Sequence, residues 1–234
     1  MIMKYEDRIK LYSSYFDAND KLTPKAILEI FQDIAASHAE QIGVGFQLML
    51  NKNLYWVLSR VKFDILKNPK PNQTIKAITW PHEKGRIDFD RDMLILNEDD
   101  EILIKATSKW CVIDTINRKL QRTENVNYIG DICPDINYLE KFDKISLPTS
   151  EFKNINAHKV CFSDLDHNKH MNNTNYGTLI LNSIDNKNIS HFEINFINES
   201  VLDDEITISQ CKTDNGEYIL GKNQDKIIFT AYVK

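Results

Sequence analysis

Ser163-Asp164-Leu165-Asp166-His167-Asn168-Lys169-His170-Met171-Asn172-Asn173-Thr174-Asn175-Tyr176 holds two aspartates, two histidines and four asparagines in fourteen residues. A stretch that polar is no core element. Strand-like His158-Lys159-Val160-Cys161-Phe162 precedes it, and Tyr176 to Ile184 follows with Leu179, Ile180, Leu181 and Ile184 placed as in a helix. It reads as a loop joining a strand to a helix start. The first turn of a helix has unpaired N–H groups and a partial positive charge, which suit a developing oxyanion.

The loop occurs twice. Asp17-x-Asn19-x-Lys21-Leu22 lies over Asp166-x-Asn168-x-His170-Met171, at an offset of 149 residues. Further on, Leu58 to Leu66 lies over Ile189 to Ile197 without a gap, at an offset of 131. The first copy therefore carries 18 extra residues after its loop, which we assign to a longer helix.

The stretches between these anchors read the same way. Residues 1–16 alternate weakly, as a strand does. Thr23-Pro24 is a helix start, a capping hydroxyl followed by proline at the first helical position. Ile27, Leu28, Phe31, Ile34, Ala35, His38 and Ile42 then predict one long amphipathic helix ending near Gly43. Strands are expected over 54–66, 74–80, 86–96 and 101–113. Residues 123–156 break the pattern and read as a linker with one helical turn at 138–142. The order then restarts: a strand at 158–163, a helix at 174–185, and strands at 189–198, 205–211, 217–221 and 226–233. A helix followed by a run of strands, twice over, is an α+β pattern. The expected division is a first unit at 1–125, a linker at 126–156 and a second unit at 157–234.

Composition narrows the function. A hydrophobic share of 42% supports a real core, and a net charge of −5 disfavours a general nucleic-acid binder. No apolar run approaches the roughly 20 residues that span a membrane, and no apolar leader follows Met1, so a soluble cytoplasmic protein is expected. The four cysteines, Cys111, Cys133, Cys161 and Cys211, form no Cys-x-x-Cys pair. Zinc-knuckle and redox-motif readings fail on that spacing, and reduced, mostly buried thiols are expected.

The copies differ where chemistry needs them to. His170 stands where the first copy has Lys21, and Glu199 where it has Asn68. A neutral histidine moves protons near pH 7 and a lysine ordinarily does not. The second copy thus carries the acid–base groups, and the first supplies structure and pocket wall. Asp166, Asn168 and His170 alternate, so an extended loop turns them to one side. Asp166 can orient His170 or act on substrate itself, and the Asn168 amide can donate to a carbonyl oxygen. The plain alternative is a solvated turn that caps the next helix; the difference between the copies favours function. His167-x-x-His170 with Asp164 and Asp166 is a weak metal pattern, because that histidine gap needs a helix. Cys111 and Cys161 are read as strand residues made inert by burial. Ser200 lacks the Gly-x-Ser-x-Gly elbow of a serine nucleophile. His38 is expected to pack on the first helix or face solvent, and His82 to lie in a loop.

Asp164 to Tyr176 closely resembles the signature of the acyl-acyl-carrier-protein thioesterases of plants and bacteria, Asp-x-Asn-x-His-x-Asn-Asn-x-x-Tyr, and fills every fixed position. Trp56-Val57-Leu58-Ser59-Arg60, Ala106-Thr107-Ser108-Lys109-Trp110 and Arg118-Lys119-Leu120 resemble further landmarks of that family, in the same order. The resemblance implies two tandem hotdog units, each a long helix wrapped by an antiparallel β-sheet. It implies hydrolysis of the thioester between a fatty acyl chain and acyl carrier protein, ending fatty acid synthesis, with no cofactor and no metal. The catalytic groups it implies are Asp166, Asn168, His170 and Glu199. Many plant members carry a cysteine after that glutamate; Ser200 here argues against a cysteine acyl-enzyme. On this reading the acyl chain lies in an apolar tunnel walled mainly by the first unit. Asn168 and backbone N–H groups near Asn172 and Asn173 hold the oxyanion. Arg60, Lys62, Lys67 and Lys70, or Arg118, Lys119 and Arg122, are candidate contacts for the acidic carrier. A coenzyme A thioesterase and a non-catalytic acyl-binding protein are the alternatives, and the oligomeric state, a homodimer included, stays open.

Overall fold

A computed structural model describes residues 4–127 and 129–234. The chain runs β1 (Tyr5–Lys10), a 3-10 turn (Ser13–Tyr15), α1 (Pro24–Gln41), α2 (Phe46–Leu50), β2 (Leu54–Ile65), β3 (Thr74–Pro81), β4 (Phe89–Leu96) and β5 (Ile102–Asp114). A long crossing segment follows. The order then returns as β6 (Lys153–Lys159), a 3-10 turn (Phe162–Asp164), α3 (Asn175–Ser183), β7 (His191–Phe196), β8 (Glu205–Thr213), β9 (Gly216–Asn223) and β10 (Lys226–Val233).

All ten strands join in one sheet, ordered β1-β3-β4-β5-β2-β7-β10-β9-β8-β6. Equating β1 with β6, β2 with β7 and so on, this order reads the same from either end. The sheet is therefore two copies of one five-stranded unit, joined edge to edge at β2 and β7. Register at the seam is decisive. Lys62 pairs with Glu193, Arg60 with Asn195 and Asp64 with His191. Lys62 and Glu193 are 131 residues apart, the offset read from the sequence, so a pseudo-twofold axis passes through that pair. The expected tandem double hotdog is the observed fold.

One face of the sheet wraps both helices. Ile27, Ile30, Phe31 and Ile34 of α1, Leu179 and Ile180 of α3, and Val61, Phe63, Phe192, Ile194 and Phe229 of the sheet share one continuous core. Phe63 and Phe192, register partners across the seam, stack at 4.8 Å and are wholly buried. Each such ring gives about 1.5–3 kcal/mol on burial, so the seam is apolar core as well as hydrogen-bonded ladder. A smaller cluster of Ile42, Val44, Met49, Leu54, Phe89 and Val112 lies under α2.

Local chemistry explains the helix starts. Thr23 accepts from the Ala26 N–H at 3.2 Å, with Pro24 at the first helical position. Gly177 lies where α3 crosses the start of α1. A Cβ there would meet the Lys25 nitrogen at 2.8 Å and the Pro24 carbonyl carbon at 3.0 Å, both backbone atoms.

Several expectations are corrected. The first strand stops at Lys10. Of the 18 extra residues, only half lengthen the helix, α1 having 18 residues and α3 nine; the remainder form α2 and its flanking turns. No helical turn forms at 138–142. Instead the crossing segment straps the outer face of the sheet: Asn137 donates to the Met93 and Ala106 carbonyls, Tyr138 to the Lys105 carbonyl, and Arg60 to the Phe142 carbonyl. β6 begins at Lys153, inside the span read as linker, and ends before Val160. Cys161 is consequently exposed and outside any strand, while Cys133 and Cys211 are buried and Cys111 partly so. None of the four is paired. Burial, aided by the charge of Asp88, pushes the Cys111 thiol up to about 11.

Candidate active site

The loop that opened the sequence reading is built as a tight turn. The Asp166 carboxylate accepts from the backbone N–H groups of Asn168 at 2.8 Å and His170 at 3.2 Å. The Asp166 N–H donates to the His170 carbonyl, Leu165 bridges Met171, and Lys169 takes a φ of +65°. The first copy repeats every feature. Asp17 accepts from Asn19 at 2.8 Å and Lys21 at 2.9 Å, Phe16 bridges Leu22, and Asp20 has a φ of +55°. The two loops are one structure carrying different side chains.

The loop then lies against the strand end that follows β7. Met171 donates to the Ser200 carbonyl at 2.8 Å, and His170 bridges Val201. This contact sets His170 beside Glu199, with His170 Nε2 3.4 Å from Glu199 Oε2. Asp166, Asn168, His170 and Glu199 all line one cavity of about 850 Å³. Asp166 reaches His170 only through the backbone, and among the described residues the acidic group nearest the ring is Glu199. The Asn168 side chain is exposed at the mouth. At the helix start, the Asn172 N–H is already given to the Asp164 carbonyl at 2.8 Å. It is therefore not free to serve as an oxyanion donor.

The rest of the cavity belongs largely to the first unit: Ala35, Ala36 and Ala39 of α1, Phe46 and Met49 of α2, and Trp56, Leu58, Phe89 and Trp110 of its sheet. The three alanines leave room between helix and sheet. The wall is not wholly apolar, because buried Arg91 also lines it. Its guanidinium lies 3.0 Å from His38 Nδ1 and donates to Thr79 at 3.1 Å. His38 is buried rather than solvent-facing; burial and the Arg91 charge lower its pKa to about 4, so it is neutral at pH 7.

The pseudosymmetric place in the first unit is closed. Asp17, Lys21 and Asn68 line a slot of only about 10 Å³. The former metal pattern is dispersed: Asp164 holds His158 at 2.8 Å, and the His167 ring packs edge-on against Phe46 at 4.6 Å. Ser200 is fully buried behind the loop.

Two residues of the first unit enter the site unforeseen. Arg118 donates to Glu199 Oε2 at 2.5 Å, and the Tyr55 hydroxyl is buried in the cavity wall nearby. From the sequence, Arg118 is only a family landmark and a candidate docking residue. The other proposed docking set is largely consumed within the fold: Lys62 is buried against Glu140 and the Tyr138 ring, and Lys67 pairs with Glu101.

Profiles of the acyl-ACP thioesterase N-terminal and C-terminal domains match residues 3–128 and 148–230. The chain belongs to the acyl-ACP thioesterase family. It is similar to a chloroplastic acyl-acyl-carrier-protein hydrolase of Cuphea viscosissima, 30% identical over 173 residues, covering 68% of this chain and 42% of the relative. It is also similar to the chloroplastic oleoyl-acyl carrier protein thioesterase 2 of Arabidopsis thaliana, 28% identical over 213 residues, covering 82% of this chain and 57% of the relative. The chain thus spans about half the length of the curated relatives it matches. Among solved structures, an acyl-ACP thioesterase from Bacteroides thetaiotaomicron superposes with a TM-score of 0.85 at 22% identity, over 99% of this chain and 97% of that one. The 12:0-ACP thioesterase of Umbellularia californica gives 0.83 at 20% identity, over 99% and 96%. These two likenesses establish the family's fold for the whole of this chain.

Proposed function

We propose that this protein hydrolyses fatty acyl-acyl-carrier-protein thioesters, releasing the free fatty acid. The observation that carries the reading is the His170–Glu199 pair, 3.4 Å apart, at a cavity of about 850 Å³ walled by the other unit. The cavity lies within the range of small-molecule sites, and its apolar part suits an acyl chain. The thioester carbonyl lies at the loop, with its oxygen toward the Asn168 amide and the Asn173 N–H. Such donors are worth about 3–4 kcal/mol each when aimed at a developing oxyanion. Glu199, with His170, takes a proton from water as the water oxygen attacks the carbonyl carbon. The tetrahedral intermediate collapses, the C–S bond breaks, and the pair returns the proton to the departing thiolate. Asp166 holds the turn that presents Asn168 and His170.

Thiol release from a panel of acyl-carrier-protein thioesters, short to long, tests the function. Binding without thiol release would make the protein a non-catalytic acyl-binding protein instead. Equal or higher kcat/KM on coenzyme A thioesters would favour the other hotdog chemistry. Direct water attack is checked by many turnovers in heavy-oxygen water: label in the Asp166 carboxylate would establish an anhydride route. His170→Ala and Glu199→Ala are expected to lose about 10²-fold or more, and Ser200→Ala to keep most activity. The cytoplasmic placement belongs to the same proposal, because enzyme and carrier must share a compartment. Both units are present in one chain, so the reading needs no second copy; light scattering would reveal a homodimer.

A further inference from the structure

Arg118 lies in the tight turn after β5. Its N–H donates to the Asp114 carbonyl, and the Asp114 carboxylate accepts from Ile116 and Asn117. Arg118 itself sits at φ +58°, a conformation that residues with a side chain seldom adopt. This turn lays the guanidinium over the Tyr55 ring, 5.8 Å from its centre, and onto Glu199. The Arg118 side chain is 57% exposed. An ion pair that open to water adds little to folding stability. Its consequence is geometric: it fixes one oxygen of a carboxylate that must also face His170.

Tyr55 lies in β2, paired with Ile113, and its buried hydroxyl sits beside the Glu199 carboxylate, just short of a closed hydrogen bond. A buried hydroxyl is costly to leave without a partner, so one kept in a cavity wall beside Glu199 needs only a small rotation to donate to it. Burial, and then the nearby charge of Glu199, raise the Tyr55 pKa, which keeps it protonated and able to donate.

We propose that Arg118 and Tyr55, both from the first unit, are positioning residues that hold the Glu199 carboxylate toward the cavity and within reach of His170. The proposal rests on the reading that Glu199 takes part in hydrolysis. It changes the division of labour between the units. The first unit has Lys21 and Asn68 at the positions of His170 and Glu199, yet it completes the pair on the second.

The test is a double-mutant cycle read by single-turnover rates on the best acyl chain of the panel, supplied as its pantetheine thioester. That probe carries neither protein nor phosphate, so docking does not enter. Arg118→Gln is expected to slow the chemical step at least tenfold and Tyr55→Phe several-fold. Affinity for the corresponding acyl-pantetheine amide should stay within twofold. Arg118→Lys should restore part of the rate. In a Glu199→Gln background neither substitution should slow the reaction further, because its target is gone. Equal losses in both backgrounds, or losses confined to affinity, overturn the proposal while leaving the role of Glu199 intact. Glu199→Gln as fast as the unaltered chain overturns the role of Glu199, and the proposal with it.

Discussion

Asp166 has a counterpart whose contacts bear on its role. Its carboxylate is spent on two backbone N–H groups, and Asp17 makes the same two bonds in a unit with Lys21 and Asn68 at a closed slot. Loop geometry alone therefore accounts for an aspartate at this position. Asparagine offers the same acceptor oxygen, so Asp166→Asn is expected to lose less than the ~10²-fold typical of an acid–base group, and Asp166→Ala more than Asp166→Asn. Single-turnover hydrolysis decides: an asparagine variant as slow as His170→Ala would mean that the carboxylate itself reacts. His170 and Glu199 were legible because the repeat exposed them as differences between copies, whereas Asp166 and Asn168, which both copies share, were legible from the loop's alternation and the family signature. Arg118 and Tyr55 were not legible as site residues. Their meeting with Glu199 crosses the seam, and comparing the copies in sequence says nothing about which residues of one face the other.

Elements were legible where local chemistry decides them. α1 has a capping threonine, a proline at its first position and an apolar stripe, and its reading survived to within two residues. α2 has none of these, and five residues are too few to show a period. It stands because the Glu40 carboxylate accepts from the Phe46 N–H at 3.0 Å and Trp56 donates to the Val44 carbonyl at 2.9 Å. Both are tertiary contacts, as are the bonds from Asn137 and Tyr138 that replace the expected helical turn with a strap. Where α1 and α3 cross, Gly177 permits a close approach of backbones. Gly177→Ala would force its methyl into the Pro24–Lys25 backbone. Overpacking costs about 1–3 kcal/mol against a gain in intrinsic helix propensity of about 1 kcal/mol, so a net loss of up to about 2 kcal/mol is expected. Urea denaturation measures it. An unchanged or raised midpoint would show that the helices can part without cost.

Of the basic groups proposed to meet an acidic carrier, Lys62 and Lys67 are paired within the fold and Arg118 is held by Glu199. Lys119 and Arg122 remain exposed on the turn beside the cavity mouth. If the carrier docks there, kcat/KM on carrier-bound substrate should fall as salt rises past about 0.1 M. The double substitution Lys119→Glu, Arg122→Glu should lower it and flatten that dependence; an unaltered salt profile would remove this face from consideration. The seam itself carries a second electrostatic prediction. Asp64 and His191 are register partners across it and lie 2.6 Å apart, with Glu193 at 3.8 Å from the same ring and Lys105 at 3.6 Å from Asp64. Tyr138 of the strap and Tyr232 flank the group. Burial opposes a charge on His191, but the hydrogen bonds and charges of Asp64 and Glu193 outweigh it and raise the pKa to about 9. The unfolded value is about 6.5, so between these limits the folded chain binds the extra proton. Stability from this group is therefore complete below about pH 6.5 and is lost as pH rises through 9. The loss is on the order of 2–3 kcal/mol. His191→Gln should lower stability at pH 6 and show a flatter decline from pH 7 to 9.5. Since Asp64 and His191 come from opposite units, that decline measures how firmly the two halves of the sheet hold together. Parallel pH profiles for the two proteins would mean that the seam is held by its ladder and by the Phe63–Phe192 stack alone.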